Sequence, residues 1–248
     1  MLFQELAEPA DFVVTVCEAN RRHIEEHLSG GNSLPIVTLY NGIDLDQFRP
    51  GPASTEAVPL ILGVGRLVEK KGFDDLIAAT AALLDAGARF RCVIIGEGEE
   101  RGRLQGMIAE LGIAGIDLVG ARPQEEVRAY LARASMLVLP CRIAADGNRD
   151  ALPTVLLEAL ACGVPVISTP VGGIGEIVDG GRAGRLVPAD DRVALGQAIS
   201  DLLGDQLARE DLGREGRRRA ESCFDLHQNV ARLIRCFAAG APCEEQLR

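Results

Sequence analysis

Short runs of aliphatic and β-branched residues recur along the chain. Most are followed within two residues by glycine or proline, and most lead into a stretch where apolar positions return every three or four residues. The runs Phe12–Val16, Ile36–Leu39, Leu60–Val64, Phe90–Ile95, Ile116–Val119, Met136–Leu139 and Val164–Ser168 predict strands. The stretches 18–28, 73–86, 99–111, 124–133, 153–162, 191–203, 206–222 and 226–238 predict helices. Strands that are apolar nearly throughout and alternate with helices predict an α/β fold, a Rossmann-like parallel sheet covered by helices on both faces. The segment 41–57 is rich in proline, glycine and aspartate and reads as a linker. Residues 1–40, with one helix between two strands, read as the remnant of a preceding α/β domain. Residues 58–205 read as a regular α/β domain, and 206–248 as covering helices and a tail.

Composition narrows the function classes. The 26 basic and 36 acidic residues leave a formal charge of −10, which argues against a nucleic-acid partner. A small anion needs only a few local cations and stays open. Seven cysteines, none in a C-x-x-C pair, read as reduced thiols of a cytosolic protein. The start of the chain lacks the charged and apolar regions of a signal peptide, and no run is long enough to span a bilayer.

Candidate chemistry gathers where strands end. Leu60–Val64 runs into Gly65-Arg66, then Lys70-Lys71-Gly72 and a helix. That is the carboxyl edge of a parallel sheet, where ligands of doubly wound sheets bind. Arg66 and Lys71 point to an anion site there; a solvated loop with charge pairs to Glu69 and Asp74 explains the same residues equally well. Asp150-Ala151-Leu152-Pro153-Thr154-Val155 leads into a second helix. Pro153 suits a first helical turn, and the unpaired amides around Thr154 and Val155, with the helix dipole, favour an anion. Glu158, one and a half turns in, can accept hydrogen bonds from a ribose diol, and Asp150 can face the same cleft. A dipole-favoured acid and a surface glutamate are the plainer alternative. Gly98 and Gly120 follow strands and allow close backbone approach. Gly63-x-Gly65 lacks the third glycine of the dinucleotide fingerprint, so no NAD site is read.

Together, NGID at 41–44, GR…KKG at 65–72, GEG at 96–98, LVG at 118–120 and DALPTVLLEALACGVPVISTPVGGIGEIV at 150–178 resemble the family-four retaining glycosyltransferases (group 1) of the GT-B fold. The resemblance covers residues 11–238 and extends in style to exopolysaccharide-biosynthesis members. It implies the C-terminal, nucleotide-sugar-binding half of that fold, with residues 1–40 the tail of an acceptor domain and the chain N-terminally truncated. It implies that Arg66 and Lys71 bind the donor diphosphate, that Glu158 binds the nucleotide ribose and that Asp150 contacts hydroxyls of the transferred sugar. Backbone around Arg122 would flank the base, and amides of Ala151–Val155 would meet phosphate or sugar, with Gly65, Gly98 and Gly120 nearby. Arg66, Lys71 and Asp150 are the implied catalytic groups. On that assignment, removing Asp150 leaves the binding of a bare nucleoside diphosphate unchanged. Aspartate stands at 150 where the family has glutamate, so the carboxylate reaches one methylene less far and the donor sugar stays open.

The implied reaction is hexosyl transfer with retention, from a nucleotide diphosphate sugar to a saccharide or lipid-linked acceptor. The nucleotide sugar is a co-substrate, and neither a cofactor nor a metal is expected. A cytoplasmic protein, at the inner face of the cell membrane where the acceptor is lipid-linked, is implied. A non-catalytic nucleotide-sugar-binding module and a phosphorylase-like or epimerase enzyme on the same architecture are the alternatives. His23-Ile24-Glu25-Glu26-His27 matches the inverted zincin pattern but reads as a solvated helix for want of a third protein ligand in a cleft. The run Arg214, Arg217, Arg218 and Arg219 reads as a solvated helix face, with peripheral contact to anionic lipid as the alternative.

Overall fold

A computed structural model describes residues 10–27, 34–51 and 58–240. The first nine residues, part of the 41–57 linker, and the 241–248 tail with Cys243 lie outside the described residues, as does the end of the predicted 18–28 helix.

Two parallel sheets form. The smaller pairs β1 (Val13–Thr15) with β2 (Ile36–Thr38), joined through α1 (Glu18–His27). The larger holds β3 (Leu60–Val64), β4 (Arg91–Ile95), β5 (Ile116–Gly120), β6 (Met136–Leu139), β7 (Val166–Ser168) and β8 (Arg185–Leu186). Their spatial order is β5-β4-β3-β6-β7-β8, every pair parallel. The chain winds outward from β3 in one direction and from β6 in the other. Right-handed crossovers therefore place α2 (Phe73–Asp85) and α3 (Arg101–Leu111) on one face and α5 (Thr154–Ala161) on the other. Helix α4 (Gln124–Leu131) makes the long return from β5 to β6. The order reverses between β3 and β6, and the crevice outside their carboxyl ends is where such a sheet holds a ligand.

Burial explains the strands. The side chains of β6 and β7 are buried throughout, as are Leu60, Ile61 and Leu62 of β3 and Cys92–Ile95 of β4. The seven predicted strands form with ends moved by a residue or two. Pro165 has no N–H to give, so β7 begins at Val166, while the Pro165 carbonyl still accepts from Leu137 N–H at 2.8 Å. The two-residue β8 and the short α6 (Ile174–Ile177) are additions, too brief to show a period.

Helices α7 (Arg192–Gly204), α8 (Gln206–Cys223) and α9 (Leu226–Ala239) each open on an aspartate cap. Asp191, Asp205 and Asp225 accept from Ala194, Ala208 and Gln228 N–H at 2.8, 2.9 and 2.8 Å. Helix α8 lies on α5 through glycines: a Cβ on Gly213 would stand 2.2 Å from the Gly163 carbonyl oxygen. The arginine run is divided. Arg217 donates to the Phe48 and Ala161 carbonyls and Arg219 to that of Glu176, while Arg214 and Arg218 are exposed and paired with Asp211 and Glu215. The expected solvated face is thus only half solvated.

The small sheet is tied to the large one by a carboxylate. Glu176 of α6 accepts from the N–H groups of Glu18 and Ala19 at 2.8 and 2.9 Å, and from the Tyr40 hydroxyl at 3.1 Å. It supplies from a distant segment the N-terminal acceptor that α1 needs. The six described cysteines are free thiols; Cys17, Cys92, Cys141 and Cys236 are buried.

Candidate functional site

The loop after β3 is set by backbone contacts. Gly65 N–H donates to Ile95 carbonyl at 3.0 Å and Leu67 N–H to Glu97 carbonyl at 2.8 Å. This loop and the one after β4 run so close that a Cβ on Gly98 would lie 2.3 Å from the Leu67 carbonyl oxygen. Glu69–Lys71 make one tight turn, ended by Gly72 with φ 66°. There a Cβ would stand 2.0 Å from the Pro140 carbonyl oxygen, so only glycine lets the turn sit on the end of β6.

The loop between β6 and α5 approaches from the other side of the reversal. Arg142 anchors it. Its guanidinium bonds Asp74 at 2.8 and 3.3 Å and Asp75 at 2.5 Å, and its N–H donates to the Lys70 carbonyl at 2.9 Å. Arg192 adds a bond to Asp75 at 2.6 Å. At the far end of the loop, Gly173 N–H donates to the Ala151 carbonyl at 2.8 Å.

Between the loops lies a cavity of about 340 Å³. Val64, Gly65 and Lys71 line one side, Thr154, Val155 and Glu158 the other, and Arg122, Gln124 and Val127 the end. Helix α5 opens on Pro153, which sits just before the first helical residue and supplies no side-chain cap. Its first residues, Thr154 and Val155, line the cavity, and no capping side chain claims their amides. The Glu158 carboxylate has no hydrogen-bond or ion-pair partner among the described residues. Burial raises its pKa above the ordinary carboxylate value.

Lys71 is buried, and its ammonium lies 2.5 Å from Asp150 Oδ2. The alternative pairing with Glu69 and Asp74 does not form: Glu69 accepts from Ala145 N–H, and Asp74 belongs to Arg142. Lys70 Nζ lies 3.1 Å from Asp150 Oδ1. Burial alone would raise the Asp150 carboxyl; hydrogen bonds and charge from Lys71 and Lys70 outweigh it and hold the carboxyl below its usual value. Asp150 is thus coupled to the expected phosphate cation. The expectation that its removal leaves bare-nucleotide binding unchanged did not include this pairing.

The other expected residues divide. Arg66 is exposed beside the cavity, and its side chain has no partner among the described residues. Arg122 lines the end of the cavity and pairs loosely with Glu126 at 3.4 Å. Leu152 and Pro153 are buried beneath the helix start, outside the cavity wall. Gly98 and Gly120 also lie outside the wall and serve loop packing; Gly120 has φ 79°. Lys70, Arg142 and Cys141 were not singled out from sequence. Only the Lys70-Lys71 doublet offered a signal. Arg142 finds its partners 67 and 68 residues away, and the Cys141 thiol, pushed up to about 12 by burial, lies 3.7 Å from Asp150. His23, Glu26 and His27 are all exposed on α1, their candidate ligand atoms within 4.8 Å of one another.

Comparison with known proteins places this arrangement. The family model "Glycosyl transferases group 1" matches residues 45–219. The amylovoran biosynthesis glycosyltransferase AmsK of Erwinia amylovora is 35% identical over 188 residues, covering 75% of this chain and 46% of that protein. The GDP-mannose-dependent alpha-(1-6)-phosphatidylinositol monomannoside mannosyltransferase of Mycolicibacterium smegmatis is 32% identical over 241 residues, covering 93% of this chain and 63% of that one. The chain thus spans roughly half the length of the relatives it matches. Among solved structures, a sucrose-phosphate synthase of Thermosynechococcus elongatus superimposes with a TM-score of 0.82 at 27% identity, over 96% of this chain and 61% of that chain.

Proposed function

Because this chain belongs to the group 1 glycosyl transferases, we propose that it forms the donor half of a retaining enzyme that moves a hexosyl unit from a nucleotide diphosphate sugar to a saccharide or lipid-linked acceptor. The observation that carries this reading is the cavity wall, which Lys71, the uncapped start of α5 and the unpartnered Glu158 share. A diphosphate fits the cation and the amides. A ribose diol fits a half-buried carboxylate that lacks donors.

In the proposed reaction, breaking the sugar–phosphate bond leaves growing negative charge on the diphosphate. Lys71, the first amides of α5 and Arg66, swinging in from solvent, would stabilise it. One such preorganised donor is typically worth about 3 kcal/mol of barrier. Asp150 would hold hydroxyls of the transferred sugar, and backbone near Arg122 would flank the base.

One named relative is an amylovoran biosynthesis glycosyltransferase and the other a phosphatidylinositol monomannoside mannosyltransferase, which supports an acceptor of saccharide or lipid-linked class. No helix among the described residues is long and apolar enough to cross a membrane.

The test is a thermal-shift panel of UDP, GDP and ADP and their sugars. Stabilisation by at least one nucleoside diphosphate is expected, about 2.7 kcal/mol at a ligand concentration 100 times Kd. No shift with any of them at millimolar concentration would count decisively against a nucleotide site.

A further inference from the structure

Lys71, Lys70 and Asp150 form a closed ionic triad whose side chains are 11, 11 and 14% exposed. Only Lys71 lines the cavity. The Lys70 ammonium sits on the other carboxylate oxygen and also lies 3.2 Å from Asn148 Oδ1. The Asp150 backbone is pinned as well, because Gly172 leaves just enough room for its carbonyl oxygen.

A carboxylate against Lys71 brings the same kind of charge that a phosphate would bring. The cavity's cation is therefore already satisfied by an internal anion, and any diphosphate has to compete for it. If Lys71 were the only partner of Asp150, winning that competition would strand a largely buried carboxylate, which is costly. Lys70 removes the difficulty, since its bond to the second oxygen survives when Lys71 turns toward the cavity.

Resting on the nucleotide-site reading above, we propose that Asp150 is a built-in competitor for the diphosphate, and that Lys70 is a positioning residue that takes over Asp150 when the diphosphate claims Lys71. Two opposite effects follow. Asp150→Asn removes the competing charge, frees Lys71 and tightens nucleoside diphosphate binding. Lys70→Gln leaves Lys71 as the one cation on Asp150, binds the two more firmly and weakens nucleoside diphosphate binding. That weakening depends on the Asp150 charge, so it disappears when Lys70→Gln is combined with Asp150→Asn. A lysine that only added positive charge near the site, or only held its loop, would weaken binding equally in both backgrounds.

The experiment is calorimetric titration of the chain and its variants with UDP, GDP and ADP. For whichever nucleotide the wild type binds, Asp150→Asn should bind about fivefold tighter or more, and Lys70→Gln about fivefold weaker. The double variant should match Asp150→Asn, and Lys70→Arg should restore wild-type affinity. If Asp150→Asn does not fold, Asp150→Ser completes the same cycle. Asp150→Asn no tighter than wild type overturns the competition while leaving the nucleotide site standing. Equal weakening by Lys70→Gln in both backgrounds overturns the hand-over. Wild type that binds none of the three nucleotides overturns the site reading itself, and the triad inference falls with it.

Discussion

Gly172 packs against the carbonyl oxygen of Asp150 so closely that a Cβ at position 172 would lie 2.0 Å from it. Gly172 also has φ 59°, in the region that favours glycine. The Gly172→Ala substitution therefore combines backbone strain with a clash against the Asp150 carbonyl oxygen. It is expected to cost about 1–3 kcal/mol in urea denaturation. It should also displace Asp150 from the lysines and so change nucleotide affinity, whereas Gly175→Ala, with open space around its Cα, should leave affinity alone.

Glu158 should show a conflict between stability and binding. Its folded pKa is raised by burial. A group raised in this way contributes stability that is fully present below its unfolded pKa and lost as pH rises through its folded pKa. Above its unfolded pKa the buried, unpartnered Glu158 therefore disfavours the folded protein. Glu158→Gln is expected to raise the melting temperature at pH 7, and the difference should shrink and vanish as pH falls below the unfolded pKa of the carboxyl. The same substitution should weaken nucleoside diphosphate binding. Melting curves of the two proteins across pH, without ligand, check the first part. A Glu158→Gln protein less stable than wild type at pH 7 would contradict it.

Arg142 holds together more charge than its modest exposure suggests. Removing it by Arg142→Met leaves Asp74 and Asp75, both buried, to Arg192 and a distant Arg103. Breaking a buried pair from one side typically costs about 3–5 kcal/mol. A loss of that size in chemical denaturation is expected. Less than about 1 kcal/mol would mean that Arg192 and Arg103 satisfy both carboxylates without it.

Helix α9 carries Val230, Ile234 and Phe237 on one exposed face, with the Phe237 ring 5.7 Å from that of Phe12. Contiguous apolar surface of this kind drives association when nothing covers it. Residues 1–248 alone are expected to self-associate with rising concentration in sedimentation experiments. The Val230→Lys, Ile234→Glu double variant should sediment as a monomer, and a monomeric wild type at high concentration would refute the expectation.

The sequence pattern carried the sheet well, because β3, β4, β6 and β7 are buried on both faces and their apolar runs are nearly continuous. The same pattern could not announce β8, a two-residue strand that exists only because β7 offers an edge. Within the cavity, Lys71, Val155 and Glu158 were legible because loop and helix starts at a sheet edge have a recognisable grammar. The triad was not. Asp150 reads as a free cleft acid in sequence, and nothing local shows that two lysines from a segment far upstream neutralise it. Arg142 was hidden for the same reason, since its meaning lies entirely in carboxylates on another helix.

The reversal of strand order between β3 and β6 has a consequence in time. Their segments lie far apart along the chain: Leu60 N–H meets the Oγ of Ser135, 75 positions further on. The β3–β6 pairing is thus among the long-range closures in the sheet, and loop closure of that length is entropically unfavourable until neighbouring contacts reward it. The β3 loop with Lys71 and the α5 start with Glu158 come together only once that closure is made. A partly refolded molecule can own most of its secondary structure and still lack the cavity proposed to hold a nucleotide. Nucleotide binding, followed during refolding, would serve as a clock for the moment when the two halves of the sheet join.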